Sequence, residues 1–172
     1  APDWVDTADL VSAVNVAFAD RYAAKNVTLH TSGGHTGPVW ADRQRLTQVL
    51  GNLLDNALRH TPAGGRVTLT AAQRGADMIF RVEDDGEGIG AEHLPHLFER
   101  FYRADTARDR DHGGSGIGLA IVKALTEAQG GSVDVSSRGA GQGSIFTVTL
   151  PAHTPPAAHD VRYEPSVSSS SK

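Results

Sequence analysis

The chain has 172 residues, 39% of them hydrophobic, a formal net charge of -4 and no cysteine. That length suffices for one domain with its own core, and the charge balance excludes the basic footprint of a nucleic-acid or anionic-membrane binder. The missing cysteine excludes disulfides, thiol catalysis and thiolate metal sites, and suits a reducing cytosol.

Trp4 to Thr7 reads as the start of a strand, and Asp6 or Thr7 can cap a helix over 8–24 with Leu10, Val11, Val14, Ala17 and Phe18 on one face. Residues 27–31 alternate as a strand does, 32–35 turn, and 38–41 form a second short strand. Asp42 can cap a central helix that ends at Thr61-Pro62, with 63–65 as the loop after it. Residues 66–73 and 78–84 read as two strands of a hairpin. After the segment 86–118, glycine-rich at both ends, comes a helix over 117–129, with Ile117, Ala120, Ile121, Ala124, Leu125 and Ala128 expected inward. Residues 132–137 and 144–150 make the final strands; the 139–144 stretch between them reads as a hairpin turn, with support of the sheet or of the charged segment as a secondary role. This order predicts an α+β fold in which helices cover one face of a single mixed sheet.

From residue 152 onward the chain is rich in Pro and Ser, lacks apolar residues to pack, and is expected to be a disordered tail. No apolar run is long enough to span a bilayer and no secretory signal is present, so no direct membrane contact is expected. The start at Ala1-Pro2-Asp3, without methionine, suggests a fragment or a processed product.

The central helix carries two patterns. Val49, Leu50, Leu53, Leu54, Ala57 and Leu58 make an apolar stripe, while Gln48, Asn52, Asp55, Asn56 and Arg59 fill the remaining sector. Amide oxygens are hard ligands suited to Mg²⁺, and a guanidinium suits a phosphate. Further on, the run from Glu83 to Gly90 ends a strand. A carboxylate there, followed by glycines, can accept a hydrogen bond from a planar amine while bare backbone approaches a ring. The Gly114-x-Gly116-x-Gly118 run opens a helix, where backbone N–H groups bind phosphate. It is neither a Walker loop nor a good dinucleotide fingerprint. Between the two lies the aromatic cluster of Phe98, Phe101 and Tyr102, then a charged stretch with little to bury, which reads as a lid over about 90–114.

Taken in this order and spacing, these segments resemble the catalytic ATP-binding domain of sensor histidine kinases, part of the wider group with gyrase B, Hsp90 and MutL. Asn52 to Asn56 look like the family's N box, Asp84-x-Gly86-x-Gly88 its first glycine box, Phe98 to Phe101 its F box, and the Gly114–Gly118 run its second glycine box. The match runs from about Asp6 to Leu150, within one catalytic domain expected over 1–151. It implies a two-layer α/β sandwich of the Bergerat type, with about five strands, about three helices and a mobile ATP lid.

The resemblance also implies roles. Asp84 would bind the adenine amine, with Gly86, Gly88 and Ile89 beside the ring, and Asn56 would hold Mg²⁺. Asn52 would contact metal or phosphates, and Arg59 and Arg103 would neutralise phosphate charge. Gly114, Gly116 and Gly118 would bring backbone N–H groups to the phosphates, and Phe101, Tyr102, Ser115, Ile117 and Leu119 would be among the ATP-binding residues. His60 stands where many relatives carry a tyrosine near the ribose. In the ATP-hydrolysing relatives a glutamate sits four residues before the metal-binding asparagine; here Asn52 stands there, and an amide accepts no proton from water at neutral pH. The expected acceptor is therefore a histidine on a separate dimerisation domain, absent from this chain, with relay to a response-regulator aspartate. Catalytic roles fall to Asn52, Arg103 and Asp55, the last either orienting or deprotonating the incoming imidazole or simply pairing with Arg59. A cytoplasmic domain of a membrane-anchored parent is implied, dimeric only at full length. The alternatives are a serine kinase of the anti-sigma type on the same fold, and a nucleotide-binding module without catalysis.

Overall fold

The structure, a computed structural model, describes residues 1–33, 37–102 and 118–152. Its main body is a mixed sheet of five strands in the order β2-β4-β5-β7-β6, built from β2 (Thr28–Ser32), β4 (Arg66–Arg74), β5 (Asp77–Asp84), β6 (Ser132–Ser136) and β7 (Ser144–Pro151). β2 runs parallel to β4, and every other pair is antiparallel. β5 is central and is paired along its whole length on both sides, Asp84 facing Val67 on β4 and Ser144 on β7.

Three α-helices are described: α1 (Thr7–Lys25), α2 (Arg43–His60) and α3 (Gly118–Ala128). Alternate residues Met78, Phe80 and Val82 of β5, with Val67 and Leu69 of β4 and Phe146, Val148 and Leu150 of β7, are buried. They meet the α2 stripe of Leu46, Val49, Leu50, Leu53, Leu54, Ala57 and Leu58, also wholly buried. Burial of each such leucine contributes about 2 kcal/mol, so α2 is the helix that anchors the layers. The result is the two-layer α/β sandwich expected, with five strands and three helices.

Three expectations need correction. The first short strand and the one before α2 do not join the main sheet. β1 (Asp3–Val5) and β3 (Val39–Ala41) pair with each other as a separate antiparallel ribbon, on which Trp4 and Trp40 meet edge to face at 5.3 Å. On α1, Ala17 is exposed and Tyr22 is buried in its place, because the buried set Thr7, Leu10, Val11, Val14 and Tyr22 centres the stripe away from Ala17. On α3, Ala124 and Ala128 are exposed while Val122 and Thr126 are buried. That helix is apolar around most of its circumference, so spacing alone does not choose its inner face.

Ala152, the first residue of the expected tail, is buried and donates its N–H to the Ala76 carbonyl at 2.8 Å. The rest of that tail, 153–172, lies outside the described residues, as do 103–114 of the expected lid.

Candidate functional site

α2 starts at Asp42, whose carboxylate accepts from the Arg45 N–H at 3.1 Å and so caps the helix. With its apolar stripe fixed in the core, the sector bearing Asn52, Asp55, Asn56, Arg59 and His60 is left half-buried along one edge of the sandwich. Asn52 donates from Nδ2 to the Gly118 carbonyl at 3.3 Å, which ties α2 to the start of α3. Asp55 accepts from Arg21 on one oxygen and from Arg59 on the other, the latter at 3.1 Å. The Asn56 amide takes no hydrogen-bond partner among the described residues.

Asp84 is the last residue of the central strand and points to the same side as Met78, Phe80 and Val82. It is only 5% exposed. Its Oδ1 accepts from the Gly86 N–H at 2.9 Å and its Oδ2 from the Ser144 hydroxyl at 2.7 Å. Burial raises the carboxyl above its ordinary value, and the Ser144 and Gly86 hydrogen bonds and nearby His60 draw it back toward ionisation. A buried carboxylate with both oxygens oriented retains free lone pairs for one further donor.

The loop after Asp84 is threaded between two other segments. A Cβ at Gly86 would collide with the His60 carbonyl at the end of α2. Gly88 has φ +73°, and a Cβ there would strike the Gly139 carbonyl. The Glu87 N–H donates to the His60 carbonyl at 3.0 Å, and the Gly141 N–H donates to the Glu87 carbonyl at 2.6 Å. The His60 imidazole lies with Nδ1 3.2 Å from Glu87 Oε1, and since an ionised carboxylate only accepts, that nitrogen carries the proton. The Ile89 N–H donates to Ser137 Oγ at 3.0 Å. The 139–143 turn is thus a clamp on the glycine loop as well as a strand connection.

Beyond Ile89, a single 3₁₀ turn (Leu94–His96) leads to the aromatic cluster. Phe98 packs edge to face on Phe146 of β7, centroids 6.1 Å apart, and anchors this segment to the core. Phe101 does not anchor it: it is 62% exposed, with φ +66° and the Arg100 guanidinium over its ring. Tyr102 meets His93 Nδ1 through its hydroxyl at 2.5 Å and is stacked by His96.

Of the residues singled out in the sequence, the fold brings Asn52, Asn56, Arg59, His60, Asp84, Gly86, Gly88, Gly118 and Leu119 to neighbouring elements at one edge of the sheet and the helix layer. Arg103, Gly114, Ser115, Gly116 and Ile117 lie outside the described residues. Sequence reasoning did not find Ser144, Ser137, Arg21, Tyr22 or Lys25. Each acts on the site through a contact spanning tens of residues, from the 32 between Tyr22 and Leu54 to the 60 between Ser144 and Asp84, so no local pattern marks it.

Residues 41–154 match the family described as histidine kinase-, DNA gyrase B-, and HSP90-like ATPase. The chain is 39% identical over 153 residues to the sensor histidine kinase RppB of Synechocystis sp., covering 88% of this chain and 33% of that one. It therefore spans a third of the length of that curated relative. Among solved structures, the catalytic domain of histidine kinase ThkA superposes with a TM-score of 0.78 at 25% identity, over 88% of this chain and 96% of that one. Full-length ShkA, solved in complex with AMPPNP, superposes with a TM-score of 0.77 at 32% identity, over 91% of this chain and 32% of that one.

Proposed function

The chain belongs to the histidine kinase-, DNA gyrase B- and HSP90-like ATPase family, and on that premise we propose that it is the catalytic ATP-binding part of a sensor histidine kinase, passing the γ-phosphoryl of ATP to a histidine on a dimerisation domain outside this chain. The observation that carries this reading is the buried Asp84 carboxylate, oriented by Ser144 and Gly86 at the end of the central strand. An ionised carboxylate accepts only, which selects a base that offers an amine, as adenine does. Full-length ShkA, similar over 91% of this chain at 32% identity, was solved in complex with AMPPNP, which supports nucleotide binding as the role of this fold.

Asn56 offers an amide oxygen that has no partner among the described residues. That donor set fits Mg²⁺, which takes one or two protein ligands and completes its shell with substrate phosphates and water. When bound, Mg²⁺ would neutralise charge on the phosphates. Arg59 on α2 and Arg103 of the lid would add cationic contacts to them, and the N–H groups of 114–118 a phosphate cradle.

Phosphoryl transfer needs positioning and electrostatics more than covalent help. Asn52, engaged with Gly118, supplies no base for water, so the site favours holding ATP for another nucleophile over hydrolysing it. Both Asp55 oxygens are taken by guanidinium groups, which supports an ion-pairing role over that of proton acceptor. Relay onward to a response-regulator aspartate, and a cytoplasmic position under a membrane-anchored, dimeric parent, complete the proposal. Among the described residues no helix is long and apolar enough to cross a membrane.

The test mixes the chain, Mg²⁺ and labelled ATP with a histidine-bearing dimerisation domain. An acid-labile phosphate on that domain is expected. Transfer to serine, or hydrolysis without the domain, would overturn the reading.

A further inference from the structure

The last two turns of α1 carry three donors that reach the carboxyl-terminal half of α2. Arg21 pairs with Asp55 Oδ1, the Tyr22 hydroxyl donates to the Leu54 carbonyl at 2.6 Å, and Lys25 Nζ donates to the Leu58 carbonyl at 2.7 Å and the Arg59 carbonyl at 3.3 Å. Arg21 is itself held over the Phe18 ring, 4.9 Å from its centroid. None of these three donors belongs to the motifs that mark the family. Together they act on the one stretch of α2 that bears Asn56 and Arg59.

Asp55 links the two helices further. Its Oδ1 takes Arg21 from α1 and its Oδ2 takes Arg59 from its own helix at 3.1 Å. Arg59 is therefore fixed at both ends, its carbonyl by Lys25 and its guanidinium by a carboxylate that Arg21 holds from the far side. An i,i+4 pair on an open helix face contributes little and leaves both side chains free to change rotamer. A carboxylate shared between two guanidinium groups on two helices restricts both. One anion between two cations leaves the Arg21–Asp55–Arg59 group itself with one net positive charge, which favours an anionic ligand beside it.

We propose that Arg21 is a positioning residue of the phosphate site: through Asp55 it sets the Arg59 guanidinium in the orientation from which its remaining N–H groups meet the phosphates of a bound nucleotide. This rests on the nucleotide reading above. Pre-ordering Arg59 removes the cost of immobilising it when the ligand arrives.

The experiment titrates the chain with ATP and Mg²⁺ by calorimetry and with adenosine by nuclear magnetic resonance. Arg21→Met should lower ATP affinity about fivefold, the size of a partly exposed ion-pair effect, and leave adenosine affinity unchanged. Arg21→Lys should recover part of the loss. Arg59→Met should weaken ATP binding, and adding Arg21→Met to it should cost nothing more. Unchanged ATP affinity in Arg21→Met, an equal loss for ATP and adenosine, or losses that add in the double variant would each overturn the positioning role. A parent chain that binds no ATP would instead overturn the nucleotide reading, before any substitution is made.

Discussion

Ser144 and Asp84 face each other across β7 and β5, and the Ser144 hydroxyl donates to Asp84 Oδ2 at 2.7 Å. The hydrogen bond aims a buried carboxylate whose surroundings otherwise disfavour its charge. Burial is the largest influence on Asp84 and raises its titration above the ordinary 3.8. The folded chain therefore holds this proton more tightly than the unfolded chain does. The stabilisation that comes with the proton is complete below the unfolded value and is lost as the pH rises through the folded one.

Above its folded value the ionised Asp84 is thus a cost to the fold, which the proposed nucleotide role would explain. Asp84→Asn should hold or raise the thermal midpoint at pH 7, since an amide can still accept from Gly86 and donate to Ser144. The same change presents an N–H donor toward the adenine amine and should abolish ATP binding. Scanning calorimetry and an ATP titration check both halves. A lower midpoint with ATP binding intact would remove Asp84 from the role given to it.

Gly88→Ala should be costly for a double reason. The residue has φ +73°, and its new Cβ would meet the Gly139 carbonyl. Strain and overpacking together should lower stability by about 2–4 kcal/mol, read in a urea titration. The clamp between the glycine loop and the 139–143 turn should loosen, with weaker ATP binding at temperatures where the variant is still folded.

Asn56→Ala should do the reverse, sparing the fold and harming the chemistry. Its amide has no partner among the described residues, so stability should shift by less than about 0.5 kcal/mol. ATP affinity in Mg²⁺ should fall to the value the parent shows in EDTA. If the variant still responds to Mg²⁺ as the parent does, the metal has other ligands.

ATP alone should yield no phosphate above the uncatalysed background, because the position where a base would stand carries Asn52, whose amide donates to Gly118. A coupled phosphate-release assay decides this. Steady turnover by the isolated chain would refute the argument from Asn52.

What could be read in advance follows from the range of the interactions. The α2 stripe was legible because six of its seven buried residues, all but Leu46, repeat at helical spacing against a polar sector. Asp84 was legible because β5 alternates strictly up to it and glycines follow. The inner face of α3 was not, since apolar residues surround most of it, and the pairing of β1 with β3 was not, since three-residue strands carry too little pattern to choose a partner. Ser144 and the donors of α1 were hidden for another reason. A serine opening a strand and a lysine ending a helix are ordinary in themselves, and only the tertiary fold brings them to Asp84 and Arg59.

The clamp on the glycine loop is closed by residues 137–144, near the end of the described residues. During synthesis, α2 and the hairpin of β4 and β5 leave the ribosome well before these residues do. A nascent chain holding Asp84 and the glycine loop would still lack the serine and the turn that orient them. On the proposed reading, the nucleotide site would therefore be complete only once β7 has formed.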